Sequence, residues 1–157
     1  MEFNIDKFNS VKDNAEAFYK SLREVYCPYF KEKISFNSQG LEHLKYKRRN
    51  WLRGQKDQFM RFKMLHFAPE IISASNTLQG ILKTKNFEKI RVNSRTDNKL
   101  SNVTYFEFIA VMDNNRIKVI VKQIENNEKV FWSIIPFWGM NKNRIERVLH
   151  EGIPEDD

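Results

Sequence analysis

Residues 104–136, TYFEFIAVMDNNRIKVIVKQIENNEKVFWSIIP, decide the fold because they hold three runs rich in β-branched and aromatic residues. Such runs favour β-strands, and the Asn-rich breaks at 113–115 and 125–128 favour tight hairpin turns. We therefore predict three consecutive antiparallel strands, with no helix within 116–124. A further run, KIRVN at 89–93, predicts a fourth strand before them.

The middle run alternates strictly along its length. Ile117, Val119 and Val121 point to one side, which predicts a sheet face packed on helices. Lys118 and Lys122 point to the other side. This second face is either the solvated side of the sheet or the floor of a site, and in both cases Glu107 is expected to pair with one of the lysines across strands.

The N-terminal half has helical periodicity. The spacing of apolar residues predicts helices over 9–27, from about 41, over 55–67, and from Pro69 to about 82, with a very short strand at 34–36. Helices followed by a run of strands indicate the α+β class, here N-terminal helices on a four-stranded antiparallel sheet. We predict one domain: a helical part at about 9–84, a sheet at about 87–137 and a C-terminal tail at 138–157.

Composition narrows the setting. The chain has 157 residues, of which 30% are charged, and a formal net charge of +7. No apolar run approaches the roughly 20 residues that span a bilayer, and the first residues lack the pattern of a signal peptide. Cys27 is the single cysteine, which fits a reducing compartment. We predict a cytoplasmic protein without a membrane partner.

Nearly all of the excess positive charge lies in one block, residues 41–64. This block holds eight basic residues against two acidic ones and therefore nets +6. Charge concentrated in this way predicts a polyanionic partner, and RNA is the partner we expect. The basic residues are Lys45, Lys47, Arg48, Arg49, Arg53, Lys56, Arg61 and Lys63.

The candidate chemistry is metal-free. The sequence has no glycine-rich phosphate loop, no zinc-ligand spacing and no clustered carboxylates suited to two metal ions, so we expect no cofactor. RNA can be cut without metal when a base removes the proton of the 2′-hydroxyl, an acid protonates the leaving oxygen and cations stabilise the developing charge. Histidine, carboxylate, lysine and arginine suffice for this, and His43 lies within the basic block.

Two stretches together carry a family resemblance: FNSQGLEHLKYK at 36–47, and YFEFIAVMDNNRIKVIVKQIENNEKVFWSIIPFW at 105–138. An aromatic strand, a basic strand and a final strand with an embedded Ser133 follow a helix that carries a histidine. This arrangement resembles the phage-associated barnase/EndoU/colicin/RelE-like (BECR-fold) ribonucleases over roughly residues 34–138.

The resemblance implies a metal-independent ribonuclease that acts as a toxin or phage-borne effector and has a neutralising antitoxin or immunity protein as a further partner. By the family pattern, His43 and Lys45 match a helix-borne active-site pair, while Lys122 and Ser133 match strand positions that face the cleft. RNA would lie along Lys47, Arg48, Arg49, Arg53, Lys56 and Arg61. The last strand lacks the histidine that some relatives use there.

Other readings of the same residues remain open. His43 could be a surface imidazole on a basic helix, and His66 or Glu107 could be the acid or base instead. Trp132 could belong to the core or form a stacking platform for bases. The whole protein could also be a non-catalytic RNA- or DNA-binding module, or an adaptor whose basic face docks an acidic protein.

Overall fold

The computed structural model describes residues 4–48, 51–92, 95–136, 139–140, 147–148 and 157. It confirms the α+β class. The helices are α1 Ile5–Leu22, α2 Ser38–Lys45, α3 Gln55–Met64 and α4 Phe67–Ala74. The strands are β1 Glu24–Cys27, β2 Glu32–Ser35, β3 Tyr46–Arg48, β4 Trp51–Leu52, β5 Gly80–Val92, β6 Arg95–Met112, β7 Asn115–Ile124, β8 Lys129–Pro136, β9 Gly139–Met140 and β10 Arg147–Val148.

The main sheet has six strands in the order β1-β2-β8-β7-β6-β5, rather than the predicted four. Its last four strands form an antiparallel meander in sequence order. The β1–β2 hairpin extends the sheet beyond β8, and β2 joins β8 in the parallel direction at Ser35 and Val130. The prediction of a purely antiparallel sheet is therefore wrong at this one junction.

The three strands predicted from residues 104–136 are confirmed, together with their turns. β6 pairs with β7 from Val103–Ile124 to Met112–Asn115, and β7 pairs antiparallel with β8. Asp113 and Asn114 both have positive φ angles at the first turn. Asp and Asn tolerate that conformation better than other non-glycine residues, which explains why the break falls there.

The first helix begins and ends earlier than predicted. It begins at Ile5 because the side chain of Asn4 accepts hydrogen bonds from the backbone N–H groups of Asp6 and Lys7. It ends at Leu22, since Arg23 has a φ of 55° and residues 24–27 leave to pair with β2. Pairing with a distant segment thus overrides the helical periodicity of these four residues.

The predicted extension of the last helix to about residue 82 is also wrong. α4 ends at Ala74, and Ile81 and Leu82 belong to β5, opposite Phe106 and Tyr105 of β6. The antiparallel meander accordingly begins at Gly80, earlier than the predicted boundary near residue 87, and β1 and β2 of the same sheet lie within the predicted helical part. In the predicted tail, the described residues include the β9–β10 pair and Asp157.

The sheet has two distinct faces. One face packs on the helices and forms the main hydrophobic core, to which β7 contributes Ile117, Val119 and Val121 as predicted. The other face has a small apolar cluster of Val103, Tyr105 and Ile120. Ile124 and Trp132 pack against this cluster, and the polar side chains of the candidate site lie on the same face.

Candidate functional site

The second sheet face carries polar side chains that are almost completely buried. Lys118 is 1% exposed, Lys122 is 3% exposed and Ser133 is 0% exposed. The register explains why they share one face, because Ile120 lies opposite Ser133 and the two lysines lie two residues on either side of Ile120. The alternative of a solvated sheet face is therefore wrong for both lysines.

Each buried lysine has an acidic partner on another strand, on the adjacent β6 for Lys118 and on β5 for Lys122, as a buried charge requires. The Nζ atom of Lys122 lies 2.9 Å from Glu88 Oε1 and 4.1 Å from the centre of the Trp132 ring. The Nζ atom of Lys118 lies 3.7 Å from Glu107 Oε1. The predicted ion pair between Glu107 and one of the lysines is confirmed.

α2 brings His43 to the same face. Asn37 caps this helix, and Gly40 allows it to approach β8 so closely that a Cβ atom there would lie 2.5 Å from the carbonyl oxygen of Phe131. His43 is 4% exposed and stacks on Trp132, with ring centres 3.9 Å apart and planes inclined by 20°. The interpretation of His43 as a surface imidazole is therefore wrong.

Arg53 fixes the protonation state of His43. Its Nη2 atom lies 3.0 Å from His43 Nε2, and its Nε atom donates to the main-chain oxygen of His43 at 2.9 Å. Because a guanidinium can only donate, Nε2 is the acceptor and the imidazole is neutral. Burial lowers the pKa of His43 to about 2, with contributions from the cations of Arg53, Arg61 and Lys122. A hydrogen bond to the main chain of Asp157 acts in the opposite direction.

The two arginines share one carboxylate. Arg61 Nε donates to Asp57 Oδ1 at 2.7 Å, and Arg53 Nη1 lies 3.5 Å from Asp57 Oδ2. Arg61 also donates to Ser133 Oγ at 2.6 Å, which joins α3 to β8. Burial lowers the pKa of Arg53 to about 10 and also lowers the pKa of Arg61, while Asp57 opposes both shifts.

We call His43, Arg53, Arg61, Lys118, Lys122 and Ser133 the cationic cluster. Asp157 occupies its centre. The Ser133 hydroxyl donates to the main-chain oxygen of Asp157 at 2.5 Å, and Arg61 Nη1 donates to the same oxygen. Arg53 Nη2 lies 3.4 Å from that oxygen, and Lys118 Nζ lies 3.2 Å from Oδ2 of the Asp157 side chain. The cluster thus binds two oxygen atoms of one acidic residue.

The structure brings together three of the four residues predicted as catalytic: His43, Lys122 and Ser133. It does not bring Lys45 to them. Lys45 Nζ instead forms an ion pair with Glu16 Oε1 of α1 at 2.6 Å. Lys45 follows His43 by two residues on α2 and so points to another side of the helix.

The residues predicted to bind RNA divide into two groups. Arg53 and Arg61 are buried in the cationic cluster rather than displayed on an open basic surface. Lys47 and Lys56 are exposed, and Lys47 lies over the ring of Trp51. Arg49 lies outside the described residues, and only the backbone of Arg48 is described, as part of β3.

Three acidic residues of the site did not emerge from the sequence: Asp57, Glu88 and Asp157. The ion pairs of Asp57 could have been predicted, since it lies four residues from both Arg53 and Arg61, the spacing at which helix neighbours form ion pairs. The other two join the site through strand pairing and chain folding. No local pattern marks them.

The alternative histidine lies elsewhere. His66 is exposed at the start of α4, with Nδ1 2.9 Å from the main-chain oxygen of Lys63. His150 lies outside the described residues. Among the residues that the structure describes, no three His, Cys, Asp or Glu side chains are grouped as a metal site would require.

Comparison with protein-family models, curated proteins and solved structures gave no match. None of the helices in the described part of the chain is long and apolar enough to cross a membrane.

Proposed function

We propose that the protein is a metal-independent endoribonuclease with a BECR-like fold, and that the cationic cluster holds the phosphate at which RNA is cut. The observation that carries the proposal is the binding of Asp157. Its main-chain oxygen accepts hydrogen bonds from Arg61 and Ser133, and its side-chain Oδ2 forms an ion pair with Lys118. A phosphodiester presents two non-bridging oxygens with negative charge, so the same donors suit it.

The cations supply the electrostatic part of the chemistry. When the 2′-oxygen attacks phosphorus and the bond from phosphorus to the 5′-oxygen breaks, negative charge accumulates on the non-bridging oxygens. Preorganised cations in a site that excludes water stabilise such charge far better than solvated ones. In this role we place Arg53, Arg61, Lys118 and Lys122, with the Ser133 hydroxyl as a neutral donor.

His43 supplies a proton-transfer group. It is neutral in the free protein, with Nε2 accepting a hydrogen bond from Arg53, and a bound phosphate would raise its pKa by compensating the nearby cations. We propose that His43, protonated in the RNA-bound state, gives its proton to the 5′-oxygen as the bond from phosphorus to that oxygen breaks, while a second group takes the proton of the 2′-hydroxyl. Glu107 is the better candidate for the complementary role, because His66 is remote from the cluster and Glu107 pairs with Lys118 inside it. The products are a 2′,3′-cyclic phosphate and a 5′-hydroxyl.

The biological setting follows from the same family resemblance. We propose a toxin or phage-borne effector that acts on RNA in the cytoplasm and that a protein antitoxin or immunity protein neutralises. Since such a partner must block a cationic site, an acidic surface is what we expect it to present.

Cleavage by matched variants tests the proposal. Labelled RNA is incubated in EDTA with the wild-type protein, with Arg61→Gln, and with Lys56→Gln as a control that removes an exposed cation from the same helix. We expect Arg61→Gln to lose about 10²–10³-fold in rate, the usual effect of removing one charge-stabilising donor, and Lys56→Gln to stay within a few-fold. Equal activity of all three proteins would refute the proposed site.

One observation favours a second candidate, a non-catalytic RNA-binding module. The Nε2 atom of His43 already accepts from Arg53, which is also how a buried structural histidine satisfies its ring. Binding of RNA that weakens with salt, without cleavage of any RNA supplied, would select this function over the first.

A further inference from the structure

β5 and β6 form a two-stranded ribbon that extends beyond the main sheet. They pair along the whole of β5, from Gly80–Glu107 to Val92–Arg95, whereas β7 joins β6 only from Val103 onward. In the part of the chain that the structure describes, residues 85–92 and 95–102 therefore have no further strand beside them. At about 3.3 Å per residue, this projecting part is roughly 25 Å long.

One face of the ribbon is basic and carries an exposed aromatic ring. Lys83, Lys85, Phe87 and Lys89 alternate along β5 and so share this face, and all four are exposed. Phe87 is 75% exposed, and its register partner Leu100 is 52% exposed.

The residues opposite these lysines on β6 are polar and uncharged. Lys83 pairs with Thr104, Lys85 with Asn102 and Lys89 with Asn98. Among the described residues, no ion pair involves any of the three lysines. Within the described part of the chain, this face therefore carries a row of lysines with no acidic partner.

We infer that this face, formed by Lys83, Lys85, Phe87 and Lys89, binds a single strand of RNA, with the lysines on its phosphates and Phe87 stacked on a base. A basic groove or strip combined with aromatic platforms is how proteins hold single-stranded nucleic acid without reading its sequence. A protein partner fits less well, because lysine is depleted from the centres of protein interfaces. Double-stranded RNA also fits less well, since its deep, narrow major groove does not admit side chains for base contacts.

The opposite face of the same ribbon connects it to the candidate site. Glu88 lies between Phe87 and Lys89 in sequence but points to the other face, where it forms the ion pair with Lys122. The basic face of the ribbon and the cationic cluster therefore lie on opposite faces of the β5–β6 pair, and the ribbon is a contact surface separate from the cluster. The inference rests on the proposed function for its ligand and adds a contact surface outside the basic block at 41–64.

Affinity measurements with matched double variants test the inference. The probe is a labelled single-stranded 2′-O-methyl RNA of about 20 nucleotides, longer than the ~4–16 that one small binding fold covers and lacking the hydroxyl that cleavage needs. Lys85→Gln/Lys89→Gln is compared with Lys7→Gln/Lys20→Gln, which removes the same charge from exposed positions of α1.

We expect the ribbon variant to weaken binding and to flatten the slope of log K against log salt by about 1.4, since each phosphate contact on a single strand contributes roughly 0.7. The α1 variant should leave the slope unchanged. Phe87→Ala should weaken binding roughly 5- to 140-fold, the range of one base stacked on an aromatic ring.

The outcomes separate this inference from the proposed function. If both double variants change affinity equally, or if Phe87→Ala changes nothing, the ribbon is not an RNA surface, even when the wild type cuts RNA. If the ribbon variants bind RNA weakly and the wild type cuts no RNA, the ribbon is an RNA-binding surface and the proposed ribonuclease activity is wrong. If the wild-type protein binds no RNA, or if the ribbon variants retain RNA affinity but lose self-association, the inference is overturned.

Discussion

Acidification should destabilise the protein through His43, because the folded state holds this imidazole neutral. The perturbation is a change from pH 7 to pH 5, applied to the wild type, to His43→Gln and to His66→Gln. Gln removes the titrating group and keeps a hydrogen-bonding side chain. His66 serves as the control, since it is exposed at the start of α4 whereas His43 is 4% exposed beside Arg53.

The magnitude follows from the two pKa values. Burial and the neighbouring cations lower the pKa of His43 to about 2 in the folded protein, against about 6.5 in the unfolded chain. Between these values only the unfolded state binds the proton, so the free energy of unfolding falls as the pH falls, by ~1.4 kcal/mol per unit well below 6.5. Integrated from pH 7 to pH 5, the loss is about 2 kcal/mol.

Urea unfolding followed by tryptophan fluorescence at pH 7, 6 and 5 measures this loss. For an m value of ~1–3 kcal/mol per molar urea, the wild-type midpoint should drop by about 1 M more than that of His43→Gln over the two pH units. His66→Gln should follow the wild type. If the free energies of the wild type and His43→Gln fall in parallel, His43 is not held neutral among the cations, and the reasoning fails.

Three further predictions concern single substitutions. Gly40→Ala should destabilise the protein by about 1–3 kcal/mol in urea unfolding, because its Cβ would lie 2.5 Å from the carbonyl oxygen of Phe131; an unchanged midpoint would mean that α2 does not pack so closely on β8. Asp157→Ala should bind inorganic phosphate several-fold more tightly in calorimetric titration, since it removes the side-chain carboxylate that pairs with Lys118; equal affinity would show that this carboxylate does not compete. Lys45→Gln should destabilise the protein by about 1–3 kcal/mol, because it leaves the mostly buried Glu16 carboxylate without its cation, and should change RNA cleavage by no more than a few-fold, because this pair lies outside the cluster; a large loss of cleavage would show that Lys45 belongs to the site.

The sequence was sufficient to predict the meander and its faces. Alternation from Ile117 to Lys122 has a period of two, and the Asn-rich breaks fit hairpin turns, so both signals are local. The β1 strand was not predicted, and β2 was predicted only as a very short strand at 34–36, whereas it spans Glu32–Ser35. Each has four residues, and β2 is joined to β8 by a parallel contact between Ser35 and Val130 that no neighbouring residue marks.

The candidate site was predictable only in part. His43, Lys122 and Ser133 were identified as residue types suited to the chemistry. Their burial, however, depends on the packing of α2 and α3 on β8. A run of basic residues in a sequence usually indicates a solvated surface. Arg53 and Arg61 were therefore interpreted as part of an open RNA-binding face. Each is buried because Asp57 and Asp157 compensate its charge. The contact between Arg61 and Ser133 joins residues 72 apart in the chain, and no local periodicity reports such a contact.

Product analysis tests the central claim most directly. Wild-type protein is incubated in EDTA with an RNA and with an all-deoxy oligonucleotide of the same sequence, in which every 2′-hydroxyl is replaced by hydrogen. The ends of the fragments are identified by mass spectrometry. We predict that only the RNA is cut, and that its fragments carry 2′,3′-cyclic phosphate and 5′-hydroxyl ends, with the activity lost in Arg61→Gln. Cleavage of the all-deoxy oligonucleotide, fragments with 5′-phosphate ends, or full activity in Arg61→Gln would contradict 2′-hydroxyl attack at the cationic cluster.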